Sequence, residues 1–243
     1  GPSDPNGPDV ASMTHGKHLS AAEIALRSAY ALVGVAVIGL GAAIMLDGGV
    51  GVDPFTALNT GISDLIGWSL GTWQLLANAI LIVAVVIWGR GYIGVGTVIN
   101  MVLTGYFITW FSALLDPVIP DDLGLGGKAL FFLLGIAVFD FGASAYMSAG
   151  VGTAPYDAIA PMIVDKTRFS YRWVRTVQDI LTVTSAWLCS GPVGVGTFAT
   201  AFFNGPLIEA FSQKVNSVLV GRLVGLLPEH LRSDEHREDP TEG

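Results

Sequence analysis

The sequence predicts an all-α membrane protein in which one three-helix unit occurs twice. Composition is the first reason: 51% of the residues are hydrophobic and only 13% are charged, whereas soluble domains average about 25% charged residues. The second reason is the length of the apolar runs, since roughly 18 or more apolar residues in a row are typical of a membrane-spanning helix. The third is an internal duplication: Gly-Val-Gly-Val-Asp-Pro-Phe at 49–55 returns as Gly-Val-Gly-Thr-Ala-Pro-Tyr at 150–156.

A second repeated motif extends the duplication. Gly-Val-Gly-Thr occurs at 94–97 and again at 194–197, so the offset is 101 residues for the first motif and 100 for the second. One residue has therefore been lost between them. Fixed-offset similarity of this kind indicates a repeat architecture, and two copies with apolar helices are typical of repeat-built membrane proteins.

The apolar runs divide the chain into five parts. We expect six spans, at about 27–46, 71–88, 92–115, 128–147, 173–190 and 193–211. The predicted organisation is a polar N-terminal segment at 1–26, in part derived from a tag, membrane repeat 1 at 27–115, an acidic connection at 116–127, membrane repeat 2 at 128–213, and a C-terminal tail at 214–243 that is first amphipathic and then disordered.

Each copy also contains a short helix between its first two spans. Asp53 followed by Pro54 predicts a helix start with a carboxylate cap and a proline at the first helical position. Pro155 starts the matching helix, which Pro161 is expected to kink or end. Both short helices contain polar residues, which are costly in lipid. We therefore expect the two short helices to be re-entrant or interfacial. In the rival arrangement both cross fully, giving eight spans and parallel copies.

The cations predict an orientation but do not choose between these arrangements. With six spans and a cytoplasmic N-terminus, Lys128 is the one Lys or Arg outside; with eight spans it is Arg90. Both satisfy the positive-inside rule. Three spans per copy is an odd number, so the six-span arrangement inverts the second copy. We expect a multi-pass protein of the inner (plasma) membrane with both termini cytoplasmic.

The broken helices also indicate where a ligand would bind. Gly/Pro-interrupted segments at matching places in two halves point to a transporter site, and free helix N-termini favour an anionic or carbonyl-bearing group. The alternative is that these residues only break helices and pack closely. Asp140, inside an apolar span, is either a proton-coupling carboxylate or a structural acid paired across helices. The candidate substrate-binding residues are Asp53, Pro54, Asn59, Asn100, Thr104, Asp140, Pro155, Asp157, Asp179 and Asn204.

Two of these candidates have structural alternatives. Asp179 follows Arg175 by four residues, which predicts a salt bridge on one helix face. The amides of Asn100 and Asn204 are equally consistent with hydrogen bonds between helices.

Several function classes are not expected. The four histidines lie in the polar ends and Cys189 is the single cysteine, so we expect no histidine triad, no metal site and no cofactor. The chain has no phosphate-binding loop motif and no basic patch typical of nucleic-acid binding. We therefore expect no enzyme activity and no nucleic-acid partner.

The order of these motifs resembles the YczE/YyaS/YitT family of bacterial membrane proteins, and in particular its YczE-like branch. The resemblance is carried by 49–54, by Ser-Leu-Gly-Thr at 69–72, by 94–100 and by their second-copy partners, and it covers about 27–213. It implies a multi-span membrane or transport protein, without an established substrate or established site residues.

The leading functional prediction is a transporter or channel for a small solute, with the site at the midplane between the repeats. Two alternatives stay open: a non-transporting scaffold or accessory protein that binds a protein or lipid partner, and the substrate-binding subunit of an ATPase-driven transporter. The lipid bilayer is the expected surrounding in each case. The sequence leaves the oligomeric state open.

Overall fold

The computed structural model describes residues 19–120 and 122–232, apart from the side chains of Tyr171 and Arg172. The predicted tag-derived start and the predicted disordered end lie outside the described residues. Within them the chain is helical, without a strand, and the order of one long, one short and two further helices occurs twice. The helices are α1 (Ala21–Asp47), α2 (Pro54–Ile66), α3 (Leu70–Trp88), α4 (Val95–Leu115), α5 (Gly124–Ser148), α6 (Pro155–Lys166), α7 (Tyr171–Leu188), α8 (Val195–Phe211) and α9 (Ser217–Gly225).

Four helical segments of the described chain are long and apolar enough to cross a membrane. They are α1, α3, α4 with the turn that follows it, and α5. The last two helices of the second copy are not among them, because α8 has 17 residues and α7 contains three charged residues, Arg172, Arg175 and Asp179. An all-helical membrane protein is thus what the structure supports, and the six-span expectation, which needs α7 and α8, stays a prediction.

Local capping explains where the short helices begin. In α2, Asp53 Oδ2 accepts a hydrogen bond from the Thr56 N–H at 3.0 Å and Pro54 is the first helical residue, as predicted. A left-handed glycine, Gly67 at φ 72°, ends this helix. The second short helix also begins at its proline but continues through Pro161 to Lys166. Of the two outcomes expected for Pro161, an end of the helix is therefore excluded, and a kink stays a prediction.

Three predicted boundaries shift at the ends of the copies. Ser20 caps α1 by accepting from the Glu23 N–H at 3.1 Å, so the helix begins six residues before position 27. Helix α5 begins at Gly124, inside the predicted acidic connection at 116–127. At the other end, a π-helical turn, Ser212–Asn216, joins α8 directly to α9. Residues 217–225 of the tail therefore continue the last helix of the second copy.

Helices α1 and α5 cross at very short distance and run antiparallel. A Cβ atom added to Gly34 would lie 2.6 Å from the Tyr146 nitrogen, and one added to Gly142 would lie 2.5 Å from the Ile38 nitrogen. Later residues of α1 therefore face earlier residues of α5. Glycine allows this approach because packing, and not hydrophobic drive, holds apolar helices together in lipid.

We name the two ends of the molecule after the residues of α1 that lie there. At the Arg27 end, Arg27 Nη1 donates to the carbonyl of Ala149 at 3.1 Å. At the Asp47 end, Gly48 packs against Phe131.

The other helices pack in a reciprocal pattern. Helix α4 packs on α1 and α8 packs on α5, whereas each short helix packs on the other copy, α2 on α7 and α6 on α3. The starts of the last helices follow the same exchange, since the Gly96 N–H donates to the Val151 carbonyl at 2.8 Å and the Gly196 N–H donates to the Val50 carbonyl at 2.7 Å. Each copy thus completes the backbone hydrogen bonding of the other.

The outward surface of α7 and α8 is apolar although their inward surface is polar. Trp173, Trp187 and Phe202 are exposed by 70%, 71% and 66%, while Asp179 and Thr200 are buried. Soluble monomers rarely expose contiguous apolar surface on this scale. This distribution is typical of helices whose outer side contacts lipid.

The close crossing yields a stability prediction for Gly142→Ala. Alanine is favoured over glycine inside a helix by about 1 kcal/mol, but here the added methyl group would meet the backbone of Ile38. Because overpacking typically costs about 1–3 kcal/mol, we expect a lower melting temperature for the purified protein. The matched control is Gly221→Ala in α9, where no atom from another part of the protein lies within 4 Å of the added methyl. This control is expected to match or exceed the wild type, and equal behaviour of the two variants would contradict the close crossing.

Candidate functional site at the meeting of two broken helices

The site is built where α2 and α6 begin, because the first turns of these two helices face each other. Phe55 and Tyr156 stack with ring centroids 4.6 Å apart and an interplanar angle of 24°. The two residues are counterparts in the duplication, 101 positions apart. Pro54 and Pro155 are the first residues of the two helices, and both are buried. The structure therefore brings the two predicted helix starts together.

The start of α2 is capped by a carboxylate with one unused oxygen. Asp53 Oδ2 binds the Thr56 N–H, while Asp53 Oδ1 is buried and has no hydrogen-bond partner among the described residues. One turn later, Asn59 Nδ2 donates to the Phe55 carbonyl at 2.7 Å. Asn59 is 2% exposed and is satisfied within its own helix, so its side chain serves α2 itself.

The start of α6 is organised differently, because Ala154 has no capping side chain. Its N–H donates to the hydroxyl oxygen of Tyr146 at 3.1 Å, and that hydroxyl donates to Asp157 Oδ2 at 2.9 Å. Tyr146 is 1% exposed. The Tyr146 hydroxyl thus links the residue before α6 to an aspartate of its first turn, but it does not cap a first-turn N–H as Asp53 does in α2.

Arg175 lies between two carboxylates beside this helix start. Its Nη1 is 3.1 Å from Asp157 Oδ1 and its Nε is 3.2 Å from Asp179 Oδ2. The guanidinium lies 5.1 Å from the centre of the Tyr156 ring, and the Tyr156 hydroxyl donates to Asp179 Oδ1 at 2.8 Å. The predicted pair of Arg175 and Asp179 is confirmed. We call Tyr146, Tyr156, Asp157, Arg175 and Asp179 the arginine cluster.

Asp140 forms a second polar centre on α5. It is fully buried. With the Asn204 amide oriented so that its nitrogen faces the carboxylate, Asn204 donates to Asp140 Oδ1 at 3.0 Å and to the Thr200 carbonyl at 3.1 Å. Asp140 Oδ2 has no hydrogen-bond partner among the described residues. Asp53 is close enough to interact electrostatically with Asp140.

Two further candidates are bonded to each other within α4. Asn100 and Thr104 are buried on this helix, and Thr104 Oγ1 donates to the Asn100 carbonyl at 2.8 Å. Their second-copy counterparts are Thr200 and Asn204, and of these Asn204 contacts Asp140.

Most of the charge around the helix starts comes from the second copy. The counterparts of Asp157, Arg175 and Asp179 in the first copy are neutral; they are Thr56, Gln74 and Asn78. Those three side chains are buried as well. The same backbone position therefore holds a charged cluster in one copy and uncharged polar groups in the other.

The junctions between the copies differ in the same way. At the Arg27 end, Thr97 Oγ1 donates to the Thr153 carbonyl at 2.8 Å, and the Thr153 N–H donates to the Tyr92 carbonyl at 2.9 Å. At the Asp47 end, the matching Thr197 Oγ1 is 3.4 Å from the Pro192 carbonyl of its own copy. Thr97 Oγ1 makes the same local contact with the Tyr92 carbonyl at 3.2 Å, so the junction at the Arg27 end adds one side-chain and one backbone hydrogen bond between the copies.

Sequence reasoning missed two members of the arginine cluster and one of its contacts. It did not single out Tyr146 or Tyr156, and it linked Arg175 to Asp179 without Asp157. For Tyr156 a signal existed, because both copies carry an aromatic residue at this position. Nothing in the sequence linked Tyr146 or the second carboxylate to the cluster, because those contacts depend on how α5, α6 and α7 pack.

Comparison with known proteins places the chain among membrane proteins. A protein-family model described as "Family of unknown function (DUF6198)" matches residues 25–213. The chain is similar to "Uncharacterized membrane protein YczE" of Bacillus subtilis (strain 168), with 30% identity over 191 residues, covering 78% of this chain and 86% of that protein.

Two further relatives are less similar in sequence. "Uncharacterized protein YyaS" of the same organism is 27% identical over 180 residues, covering 74% of this chain and 89% of that protein. An uncharacterized protein of Haemophilus influenzae (strain ATCC 51907 / DSM 11121 / KW20 / Rd) is 26% identical over 182 residues, covering 74% and 80%. No solved structure matches. The resemblance predicted from the Gly-rich motifs is confirmed.

The arginine cluster yields a prediction for Arg175→Gln. Removing the guanidinium leaves Asp157 and Asp179 without their shared cation, and breaking an ion pair by deleting one partner costs more than the pair contributes when intact. We expect a drop in melting temperature of several degrees, smaller for Arg175→Lys, which keeps the charge. The control is Arg168→Gln in the exposed turn before α7, which is expected to unfold like the wild type. A wild-type melting temperature for Arg175→Gln would show that the cluster does not stabilise the fold.

Proposed function

The chain belongs to the DUF6198 family, whose function is unknown, and we propose that it is a membrane transporter for a small polar solute, which binds where α2 and α6 begin. The observation that carries the proposal is the stacking of Phe55 on Tyr156 at 4.6 Å, since it joins the starts of one broken helix from each copy. Interrupted helices that meet at the interface of two repeats are typical of the substrate sites of secondary transporters.

Helix directions support re-entrant short helices and six crossings. Gly39 of α1 lies against Ile108 and Asp47 interacts with Ser112, so α1 and α4 run parallel. Gly71 faces Tyr106 and Asn78 contacts Met101, so α3 runs antiparallel to α4. Helix α3 therefore begins at the Asp47 end, where α1 finishes. The intervening helix α2 starts beside α6 and returns to the end from which the chain entered, which is the geometry of a re-entrant helix.

Reciprocal contacts support an inverted repeat. Gly34 contacts Tyr146, and their counterparts, Gly135 and Met45, contact each other. Mutual contacts of this kind are what a two-fold axis between two units produces. Because α1 and α5 run antiparallel, that axis lies across the helices and, in a bilayer, in the membrane plane. The Phe55 and Tyr156 stack then lies near the axis, at mid-depth.

The distribution of charge supports an orientation with the Arg27 end in the cytoplasm. Lys128 follows the start of α5 at the Asp47 end, and the other described cations lie towards the Arg27 end in this arrangement. The positive-inside rule assigns that end to the cytoplasm, and the proposed location is the inner (plasma) membrane. Helices α7 and α8 complete the six crossings, because their polar side chains face the protein and their apolar side chains face outward.

The chemistry of the helix starts favours a solute that carries a carbonyl group and no net negative charge. A free helix N-terminus attracts anions, but Asp53 and Asp157 already place carboxylates at these two starts. An added anion would meet like charge there. The stacked rings and the remaining N–H groups suit a neutral or zwitterionic polar molecule. The proposal assigns no chemical reaction to the site.

A second candidate function is that of a non-transporting membrane subunit that binds a partner. One observation favours it. An apolar groove of about 460 Å³ runs along α4, on the outer side of the first copy, and is lined by Leu103, Tyr106, Phe107, Thr109, Trp110 and Ala113. A partner helix or a lipid chain would fit such a surface, and this role needs no solute at the helix starts.

The proposed topology predicts the accessibility of two single cysteines. In a Cys189→Ala background, Lys128→Cys is expected to react with an impermeant maleimide in intact cells, because it lies on the outer side. Arg90→Cys is expected to react only after permeabilisation. The reverse labelling pattern would contradict the proposal and indicate eight crossings with parallel copies.

The proposed function predicts that a small solute stabilises the protein and enters proteoliposomes. A solute present at a hundred times its Kd stabilises the folded state by about 2.7 kcal/mol, so a thermal-shift screen of amino acids, amides and vitamins is expected to contain a hit. Phe55→Ala is expected to weaken that hit at least tenfold. The control, Phe202→Ala on the exposed surface of α8, is expected to bind like the wild type. Uptake no greater than in empty liposomes, together with a screen without a hit, would contradict the transporter proposal.

A further inference from the structure

Asp53 and Asp140 share an unusual state: each carboxylate has one oxygen in a hydrogen bond and one buried oxygen without a partner. Asp53 Oδ2 accepts from the Thr56 N–H at 3.0 Å, and Asp140 Oδ1 accepts from Asn204 at 3.0 Å. Asp53 Oδ1 and Asp140 Oδ2 have no hydrogen-bond partner among the described residues. A buried carboxylate oxygen without a partner carries a large desolvation cost.

Charge makes this arrangement more costly. The two carboxylates are close enough to interact electrostatically, and they come from different copies. The salt bridges recorded between described residues join Arg175 to Asp157 and to Asp179, and neither Asp53 nor Asp140 takes part in them. Two neighbouring carboxylates inside an apolar protein are stable only with added positive charge.

The duplication provides an internal control for a structural role. The counterpart of Asp53 is Ala154, and the counterpart of Asp140 is Gly39. Helix α6 begins with Ala154 at its cap, and α1 crosses the molecule with Gly39 packed against Phe107. The other copy thus forms its helices at both places without a carboxylate, and the cap of α2 uses only Oδ2 of Asp53, so capping and packing leave Asp53 Oδ1 and Asp140 Oδ2 unexplained.

We propose that Asp53 and Asp140 together form a binding site for one monovalent inorganic cation. The inference rests on the proposed function, because a cation held between the two copies would link ion binding to movement of the solute. The required chemistry is one unit of positive charge in contact with carboxylate oxygens, and either an alkali metal ion or a proton supplies it. A divalent ion fits less well: among the described residues no group of three or more Asp, Glu, His or Cys side chains could hold a metal ion, whereas Ca²⁺ takes 6–8 oxygen ligands.

The backbone next to Asp53 suits a metal ion as well as a proton. Residues 48–53 leave the helical conformation, with Gly49 at φ 63° and Gly51 at φ 88°. Unwound backbone carbonyls and helix ends coordinate Na⁺ or H⁺ at the broken helices of secondary transporters. The carboxylates of Asp53 and Asp140 would supply the charge, and this segment would supply further oxygen atoms.

The neighbouring titratable groups belong to the arginine cluster. Asp157 on α6 and Arg175 on α7 both act electrostatically on Asp53, and Tyr146 lies on α5 six residues after Asp140. Helix α8 contributes the neutral Asn204, which contacts Asp140. Helix α1 has a glycine, which cannot titrate, at the position that faces α5 in the crossing. A response to pH therefore has to be assigned by variants of Asp53 and Asp140 themselves.

The test measures thermal unfolding of the purified full chain in choline chloride, NaCl and KCl from neutral to alkaline pH. A metal site predicts a saturable rise in the wild-type melting temperature with Na⁺ or K⁺, and at least a tenfold loss of apparent affinity in Asp140→Asn. A proton site predicts no metal effect and a wild-type melting temperature that falls as pH rises, because the proton leaves a buried carboxyl group. Asp140→Asn is expected to remove that fall.

Two further variants keep the test decisive. Asp53→Ala introduces the residue that the second copy already has at this place, so it is expected to fold and to lose the same response. Asp64→Asn, an exposed acid on the same short helix, is expected to respond like the wild type. Identical ion and pH responses in the wild type, Asp140→Asn and Asp53→Ala would overturn the site.

The outcome is separable from that of the proposed function. Solute binding in choline chloride that neither ions nor pH alters would leave the transporter proposal in place and overturn the cation site. An ion or pH response that depends on Asp53 and Asp140, in a protein that binds no solute, would keep the cation site and remove the solute proposal.

Discussion

Backbone hydrogen bonding at the broken helices is the constraint on which the rest of the structure depends. Residues 48–53 and 149–154 leave the helical conformation inside an apolar protein, where lipid offers no hydrogen bonds to free N–H and C=O groups. The structure satisfies these groups across the copies: the Gly96 N–H binds the Val151 carbonyl and the Gly196 N–H binds the Val50 carbonyl. Other groups of the breaks bond locally, as the Val50 N–H does to the Met45 carbonyl at 3.2 Å. Each break therefore combines hydrogen bonds of its own copy with one that the other copy supplies.

The glycines follow from this exchange. For each break to reach the other copy, the long helices α1 and α5 must approach until a Cβ atom at Gly34 or Gly142 would clash with backbone. The unwound segments also make close contacts. Gly51 has a positive φ and lies against Gly194, and Gly152 has a positive φ and lies against Gly94. Both motifs found in the sequence thus serve one purpose. They bring backbone against backbone where side chains would prevent pairing.

The structural features that the sequence predicted correctly are those determined by residues close together in the chain. The start of α2 was predicted correctly because Asp53 and Pro54 act within one turn of the chain, and the salt bridge between Arg175 and Asp179 because it lies on one helix face. The extra turn of α5 before Lys128 was missed because Gly-rich sequence is a weak helix signal.

The candidate site shows the same limit. Asp140 was singled out from its place inside an apolar span, and Asp157 from its place in the second short helix. The structure places Asp157 in the first turn of α6, whereas Asp140 lies on α5 and contacts Asn204. Asn100 and Thr104 were candidates as well, yet their bond stays within α4. The sequence repeat predicts the backbone well, because the two copies share their helix order. It predicts side-chain contacts poorly, because the copies differ in the residues that make them.

That difference separates structure from function in this molecule. Both copies share the Gly-x-Gly-Thr motif and the prolines that start the short helices. These shared residues are sufficient for the helix crossing and the two breaks, since they occur in both copies. Arg175, Asp157, Asp140 and Asp53 are each absent from the matching position of the other copy. Buried charges are costly, and the other copy forms the same helices without them at those positions. The four side chains do make stabilising contacts, such as that of Asp53 with the Thr56 N–H. The proposed solute and cation sites would account for the remaining cost.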